Sequence, residues 1–480
     1  MKDRVYIKDL NTKIGEEVII AGWVNVRRDQ GKMVFFDMRD MTGIVQCVVL
    51  MNHMEELNKN LLCQGFGGSK EIRPEWVLKI VGKVNKRPEK NVKEGVMNGD
   101  VELEVTGIEI LNKADTPNFD VTTDGHEIGE ENRLTYRYLD LRRPRMQKNL
   151  RNRHKVIKFV RDYLDKQNFI EVETPILTKS TPEGARDYIV PSRVSPGTFY
   201  ALPQSPQQYK QLLMTGGVER YFQIAKCMRD EDTRGDRQPE FTQLDMELSF
   251  VDREDVMALN EALIINIVQT LYPEKKIQEI PFPRITYKEA MDKYSNDRPD
   301  FRTDKEDKNL LAFGWVVDFP FFERTDNSDN PQAEGEWTFT HNPFSKPQDE
   351  HMEFLMNKKN IGEILTTQYD IILNGFEIGG GSIRNHEPDA LRKVFEIMGY
   401  PSETIEKNFG HMLSAFASGT PPHGGLAWGF DRFMMLLENE PNIREVMAFP
   451  KTGEGKDLMM DSPSVVSDKQ LKELGIKLFK

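Results

Sequence analysis

Five runs of alternating apolar and polar side chains crowd the first 113 residues, and this period of two is the tightest constraint the chain places on its own fold. The runs are EEVIIAGWVNVR, KMVFFDMRD, GIVQCVVLM, EWVLKIVGKVNKR and DVELEVTGIEIL. Alternation puts successive side chains on opposite faces of a strand, so each run needs a core on one side and accepts water on the other. MTG at 41–43 reads as a tight turn, RRDQGK at 27–32 as a polar connection between the first two strands, and NHMEELNKNLL as a helix-length interruption between the third and fourth.

Five short strands interrupted in that place match the oligonucleotide-binding barrel, whose strand face binds single-stranded nucleic acid. On such a face, alternation brings Arg28, Phe35 and Gln46 within reach of bases: a guanidinium for phosphate, an aromatic ring to stack, an amide to read an edge. Taken alone, Phe35 reads equally well as core.

At 480 residues the chain is too long for one ordinary domain. Its net charge of −12 argues against a surface coated for nonspecific nucleic-acid binding, but the charge is uneven, since residues 1–113 carry one net positive charge. Residues 136–155, YRYLDLRRPRMQKNLRNRHK, hold eight Lys or Arg against Asp140 alone, which is either a solvated helix face or a place for a polyanion. Cys47, Cys63 and Cys227 show no paired spacing, so no disulfide framework or zinc site is expected, and buried thiols in a reducing compartment are. MKDRVYIKDLNTK lacks an apolar signal core, and no run approaches the ~20 apolar residues that span a bilayer, so the chain reads as soluble and cytoplasmic.

Residues 114–145 are polar and turn-rich at first and then basic, and they read as a hinge between the barrel (1–113) and a second domain (146–480). Apolar residues at Leu150, Val156, Ile157, Val160, Tyr163 and Leu164 predict a helix, and FIEVETPIL a strand that stops near Pro175. The rest mixes α and β, with helices over 255–271 and 389–398 between apolar strands, so the fold class is α+β.

Five segments of the second domain are dense in polar groups flanked by Gly or Pro: 178–193, 202–213, 229–247, 375–389 and 424–438. Charged groups in such company are costly to bury unless paired or bound to a ligand, so together they suggest one polar pocket. GGGS at 379–382 is neither a Walker loop nor a dinucleotide fingerprint, because no Lys follows and no helix opens there. Phosphate would instead be met by Arg side chains and carboxylate-held magnesium.

FIEVETPIL with TPEGARD, QSPQ, KCMRDEDTRGDRQPEFTQLD, GGGSIR and GLAWGFDR follow in the order of the signature motifs of the class II aminoacyl-tRNA synthetases, and the chain resembles most closely their bacterial-type aspartyl members. The resemblance covers nearly the whole chain. It implies an antiparallel catalytic sheet flanked by helices, ATP as substrate, Mg²⁺ as cofactor, L-aspartate and tRNA for aspartate as partners, with tRNA for asparagine left open, and a homodimer. By the same resemblance Arg229 and Arg432 are catalytic, offsetting charge on the α-phosphate. Arg229, Glu231, Phe241, Gln243, Glu377 and Arg432 bind ATP, and Asp370 and Glu377 hold the metal. Lys210 and Arg384 face the aspartate side chain, Asp245 orients Lys210, His341 closes the pocket, Arg229 also meets the aspartate carboxylate, and Glu183, Ser205 and Gln207 hold the ammonium group. Arg28, Asp29, Gln30, Phe35 and Gln46 would meet the anticodon, with Gly31 beside them, and Arg234 and Arg237 the acceptor end.

Two departures stand out. The large domain that bacterial relatives insert between motifs 2 and 3 is reduced here to a connection near 282–313, and the common HHPF has become His341-Asn342-Pro343-Phe344. Rival readings are an asparaginyl- or lysyl-tRNA synthetase, an ammonia-dependent asparagine synthetase, which lacks the barrel, and a noncatalytic RNA-binding protein, which need not keep Arg229, Arg432, Asp370 and Glu377.

Overall fold

The computed structural model describes residues 3–30, 33–180, 184–324 and 336–479, which form two compact units, Met1–Ile128 and Gly129–Lys480. In the first, strands β1 (Glu17–Gln30), β2 (Met33–Arg39), β3 (Ile44–Val49), β4 (Val77–Lys86) and β5 (Val101–Asn112) close a barrel in the order β1-β2-β3-β5-β4, with helix Met51–Cys63 between β3 and β4. The inward residues of the alternating runs, among them Phe36, Leu78, Ile80 and Leu103, make the barrel core. Phe36 takes the core position and Phe35 the outer one, which resolves the ambiguity at that aromatic. Residues 27–30 of the segment expected as a polar connection are strand instead: β1 runs on through Gln30, pairing Arg28 with Phe35 and Gln30 with Met33. Those side chains stay solvated on the outer face while their backbone groups are satisfied by the ladder.

The second unit is built on an eight-stranded sheet of β6 (Ile170–Glu171), β7 (Arg220–Met228), β8 (Glu240–Ser249), β9 (Arg284–Thr286), β10 (Phe313–Val317), β11 (Tyr369–Leu373), β12 (Phe376–Ile383) and β13 (His423–Gly429). Their order is β9-β10-β11-β12-β13-β8-β7-β6, antiparallel except at the two edges. β8 shows why one sheet both holds the fold and carries a site. Leu244, Met246 and Leu248 point to a core shared with Val156 and Val160 of helix Pro144–Asp165 and Leu263 and Ile267 of helix Arg253–Leu271. Gln243, Asp245 and Glu247 point the other way. Each fully buried Leu or Met contributes roughly 1.5–3 kcal/mol, so β8 is anchored by one face and free to be polar on the other. Asp252 caps the helix that follows, in a reciprocal capping box with Asp255.

The tail of the expected hinge is part of the second unit. Residues 130–135 and 137–140 are helical, and Arg133 binds Glu445 at 2.6 Å, Arg137 and Arg143 bind Asp140 at 2.6 and 2.7 Å, and Arg145 binds Glu440 at 2.6 Å. The basic run is therefore spent largely on internal carboxylates, two of which lie some three hundred residues away and give no local sign of the pairing. FIEVETPIL contributes only Ile170–Glu171 to the sheet, and Ile176 and Leu177 are exposed. Cys47 and Cys227 are buried as expected, but Cys63 is exposed at the end of its helix. Among the described residues no helix is long and apolar enough to cross a membrane.

Candidate active site

A cavity of about 350 Å³ opens on the polar face of the sheet, over β8, β12 and β13. It gathers Ser205, Gln207, Lys210, Arg229, Glu231, Arg237, Phe241, Gln243, Asp245, His341, Asp370, Glu377, Arg384 and Arg432, which come from segments spread over more than two hundred residues. Arg234 stays outside the wall, in the turn between β7 and β8, where its carbonyl accepts from Arg444. Glu183 lies outside the described residues, as does Gly31.

The floor is possible because β12 and β13 are glycine-rich where strands and side chains crowd. A Cβ on Gly381 would sit 2.0 Å from the Gly425 carbonyl oxygen, and one on Gly380 would sit 2.6 Å from Asp370 Oδ1. A side chain at Gly381 would push the neighbouring strand away, and one at Gly380 would displace the Asp370 carboxylate.

At one end of the cavity two cations meet two carboxylates. Lys210 Nζ lies 2.5 Å from Asp245 Oδ1 and 3.2 Å from Glu247 Oε2. Arg384 donates from Nε to Glu247 Oε1 at 2.9 Å, from Nη2 to Glu247 Oε2 at 3.1 Å and Gly425 O at 3.4 Å, and from Nη1 to Ser382 Oγ at 2.9 Å. All four charged groups are almost fully buried. Burial raises the Glu247 pKa, but Arg384 and Lys210 outweigh it and hold the carboxyl at about 2. Asp245 goes the other way: burial pushes it up, Lys210 offsets only part, and its Oδ2 has no protein partner. Of three ammonium hydrogens Lys210 spends one on Asp245, with Glu247 beside it as an ion pair, and of five guanidinium hydrogens Arg384 uses four. At least one donor of each is left over.

At the other end Arg229 lies 5.2 Å from the centroid of the Phe241 ring, and Arg432 binds Asp236 at 3.1 Å and the Glu377 carbonyl. The Nε atoms of both arginines are buried without a partner. Between the two ends, Asp370 accepts from Gln368 Nε2 at 2.7 Å and from His341 Nε2 at 3.1 Å. Burial would lower the His341 pKa, but the Asp370 carboxylate beside its ring raises it to about 9. Glu377 is reached from the cavity yet crowded by protein, and that lost hydration together with Asp370 pushes its pKa up. A carboxylate whose ionisation a neighbouring carboxylate opposes suits, with that neighbour, a hard divalent cation, which takes one or two carboxylates and completes its shell with water and phosphate. No group of three metal-binding side chains occurs among the described residues, and a site of this kind does not need one.

Sequence reading missed Glu247, Gln368 and Asp236. Glu247 was within reach, since alternation from Gln243 and Asp245 puts it on the same face of β8. Gln368 was within reach in the same way, two residues before the Asp370 it holds, whereas Asp236 acquires its role only through Arg432, some two hundred residues away in the chain. In the barrel, Arg28 is held by Asp37 at 2.8 Å and Gln46 by Glu102 at 3.3 Å on the outer face with Phe35, while Asp29 and Gln30 are exposed at the end of β1.

A glycine-floored antiparallel sheet with arginines at one end of its cavity and a sealed cation–carboxylate cluster at the other, in a chain that also carries a five-stranded barrel, matches a known class: the chain belongs to the class II tRNA synthetases. The family described as tRNA synthetases class II (D, K and N) matches residues 129–453, and the OB-fold nucleic acid binding domain matches residues 18–111. Within that class it falls among the aspartate–tRNA ligases. It is 38% identical to the aspartate–tRNA(Asp/Asn) ligase of Rubrobacter xylanophilus, over 97% of this chain and 95% of that protein, and 38% identical to the aspartate–tRNA ligase of Geobacillus kaustophilus, over 96% of each. The Rubrobacter alignment runs to 590 positions against a chain of 480, so at least 110 positions of the relative have no counterpart here. Among solved structures, asparaginyl-tRNA synthetase from Pyrococcus horikoshii complexed with asparaginyl-adenylate superposes with a TM-score of 0.73 at 24% identity, over 94% of this chain and 99% of that one. Aspartyl tRNA synthetase from Entamoeba histolytica gives 0.69 at 22% identity, over 93% and 91%. At such identities these structures speak for the fold.

Proposed function

We propose that the chain activates L-aspartate with ATP to aspartyl-adenylate and pyrophosphate, then transfers the aspartyl group to the 3′-terminal ribose of tRNA for aspartate, with tRNA for asparagine as a second candidate acceptor. The observation that carries the choice of amino acid is the pair of leftover donors on Lys210 and Arg384. A side-chain carboxylate satisfies both. The amide nitrogen of asparagine would turn donors toward donors, and a site built for a polar partner rejects an analogue that lacks it.

Neither chemical step demands a protein nucleophile. The α-carboxylate of aspartate is ionised at pH 7 and attacks the α-phosphorus in line, so a bond to phosphorus forms as the bond to pyrophosphate breaks. A terminal ribose hydroxyl of tRNA then attacks the activated carbonyl, and AMP leaves. The protein's part is positioning and charge stabilisation. Arg229 and Arg432 face the phosphate, and Arg229 also meets the aspartate carboxylate. Glu231, Phe241 and Gln243 hold adenine. Asp245 orients Lys210, His341 closes the pocket, and Ser205, Gln207 and Glu183 take the ammonium group. Asp370 and Glu377 would hold Mg²⁺, which when bound shields the charge of the triphosphate.

The barrel over residues 1–113 is assigned to the anticodon, through Arg28, Asp29, Gln30, Phe35 and Gln46, and Arg234 and Arg237 to the acceptor end. The hinge is assigned to residues 114–128, and the bacterial insertion is the segment absent around 282–313. A homodimer through helix Pro144–Asp165 and β6 is supported by the exposure of Ile170, Ile176 and Leu177, side chains a partner would cover. The reaction belongs in the cytoplasm, where tRNA is charged. Aminoacylation with labelled aspartate on transcripts of tRNA for aspartate and tRNA for asparagine, with ATP and Mg²⁺, tests the proposal: charging of at least the first is expected, and charging of neither overturns it.

A further inference from the structure

Behind the cavity wall, three side chains form a line of hydrogen bonds whose direction is set at one end. His423, where β13 begins, and Gln211 are fully buried, and Gln207 is 8% exposed. Gln207 and Gln211 stand one turn apart on helix Gln207–Thr215. His423 Nδ1 lies 2.8 Å from the Pro421 carbonyl oxygen, and its Nε2 lies 3.2 Å from Gln211 Nε2. Gln207 Nε2 donates to Gln211 Oε1 at 3.0 Å.

A carbonyl oxygen only accepts, so His423 Nδ1 carries the ring hydrogen and donates to Pro421. Burial, against the pull of Glu247, holds the His423 pKa down at about 4, so the ring is neutral at pH 7 and its Nε2 accepts. Gln211 must then turn its NH2 group to the ring and its oxygen to Gln207. Gln207 in turn gives its NH2 group to Gln211 and keeps its own oxygen, and it is Gln207 that lines the cavity. Where water is present an amide turns over at little cost, because water meets either end. Here a reversal at either amide sets hydrogen against hydrogen or oxygen against oxygen among buried groups, where an unmet polar atom costs most.

We propose that His423 and Gln211 are positioning residues for amino-acid binding: together they lock the Gln207 amide with its oxygen free, so that the pocket meets the substrate ammonium group with an acceptor. Neither lines the cavity, so both act through Gln207. With the amide reversed, Gln207 would point N–H groups at a cation and lose a charge-assisted hydrogen bond. The inference rests on the assignment of Gln207 to the ammonium group made above.

ATP–pyrophosphate exchange on the full chain tests this, with succinate, which is aspartate without its ammonium group, as competing inhibitor. Gln211→Met, of similar length and volume, breaks both bonds and frees the Gln207 amide to turn. The KM for aspartate should rise by about tenfold, while kcat, the KM for ATP and the inhibition constant of succinate stay within about twofold. His423→Asn keeps a donor for Pro421 but is too short to reach Gln211, and should show the same selective loss. Gln211→Glu is the rescue. Both carboxylate oxygens accept, so Gln207 is held as before while His423 takes up the second proton that a neighbouring carboxylate favours, and the KM for aspartate should lie within about threefold of the parent value. A loss shared equally by aspartate and succinate would mean that the pocket is deformed rather than Gln207 released. Unchanged aspartate binding in both Gln211→Met and His423→Asn would mean that Gln207 needs no lock. Either result overturns the inference, as does Gln211→Glu behaving like Gln211→Met. A parent protein that does not exchange with aspartate at all overturns the synthetase reading instead.

Discussion

Replacing Arg384 by Leu separates two consequences that sequence reasoning runs together. Arg384 is 2% exposed and is the bidentate partner of Glu247, which is fully buried. Removing it leaves a buried carboxylate with only Lys210 nearby, and breaking such a pair costs about 3–5 kcal/mol out of a typical total of about 5–15 kcal/mol. At roughly 2–4 °C per kcal/mol, Tm should fall by about 10 °C. Catalysis loses more. A charge-assisted hydrogen bond to the substrate is worth about 1.5–3 kcal/mol, and the uncovered Glu247 carboxylate, at about 5 Å from the substrate carboxylate in an effective dielectric of about 20, adds about 3 kcal/mol of repulsion. Together these predict a loss in kcat/KM for aspartate of at least about 10³-fold, read by ATP–pyrophosphate exchange. The double variant Arg384→Leu/Glu247→Gln tells the two effects apart: with the orphaned charge gone Tm should recover most of its loss, while exchange stays low. Near-normal exchange in Arg384→Leu would refute the assignment. Exchange restored in the double variant would show that Arg384 serves only to neutralise Glu247.

Glu445 makes acid stability a second readout. Burial raises its pKa, but Arg133 and Arg145 outweigh that and hold it at about 2, below its ordinary 4.5, so its stabilisation is complete above about pH 4.5 and is lost as pH falls toward 2. Roughly 3 kcal/mol rides on it. Glu445→Gln should be less stable at pH 7 and show a shallower loss of stability in urea titrations from pH 5 to pH 3; an unchanged slope contradicts the pairing. Asp370→Asn should raise the Mg²⁺ concentration needed for half-maximal exchange by about tenfold or more, and an unaltered Mg²⁺ requirement would remove Asp370 from the metal site. Phe35→Ala, on the outer face of the barrel, should weaken tRNA binding by about 1–3 kcal/mol while leaving ATP–pyrophosphate exchange unchanged, and equal tRNA affinity in filter binding would take the ring out of the interface.

The barrel was legible because alternation is a local signal: each run states its own two faces, and only the extent of β1 was misread, where charged side chains hid a laddered backbone. The ordered motifs likewise announced β7, β8, β12 and β13 and most of the cavity wall. Residues 129–145 were illegible for the opposite reason. Their arginines look like a solvated face until Glu440 and Glu445 arrive from the far end of the chain. Asp236 sits in a charged turn with no local hint that it meets Arg432.

By itself, then, the sequence determined which residue types stand on which face of each strand, because a period of two is set by backbone geometry alone, and which strings of residues mark the family. What only the tertiary structure decided is how the charges are apportioned: that Glu247 holds Lys210 and Arg384 and leaves each a donor to spare, that Asp245 keeps an oxygen without a partner, and that much of the basic run is neutralised internally. Coulomb energy and desolvation depend on distances through space between groups far apart in the chain, and no local pattern of residues contains those distances.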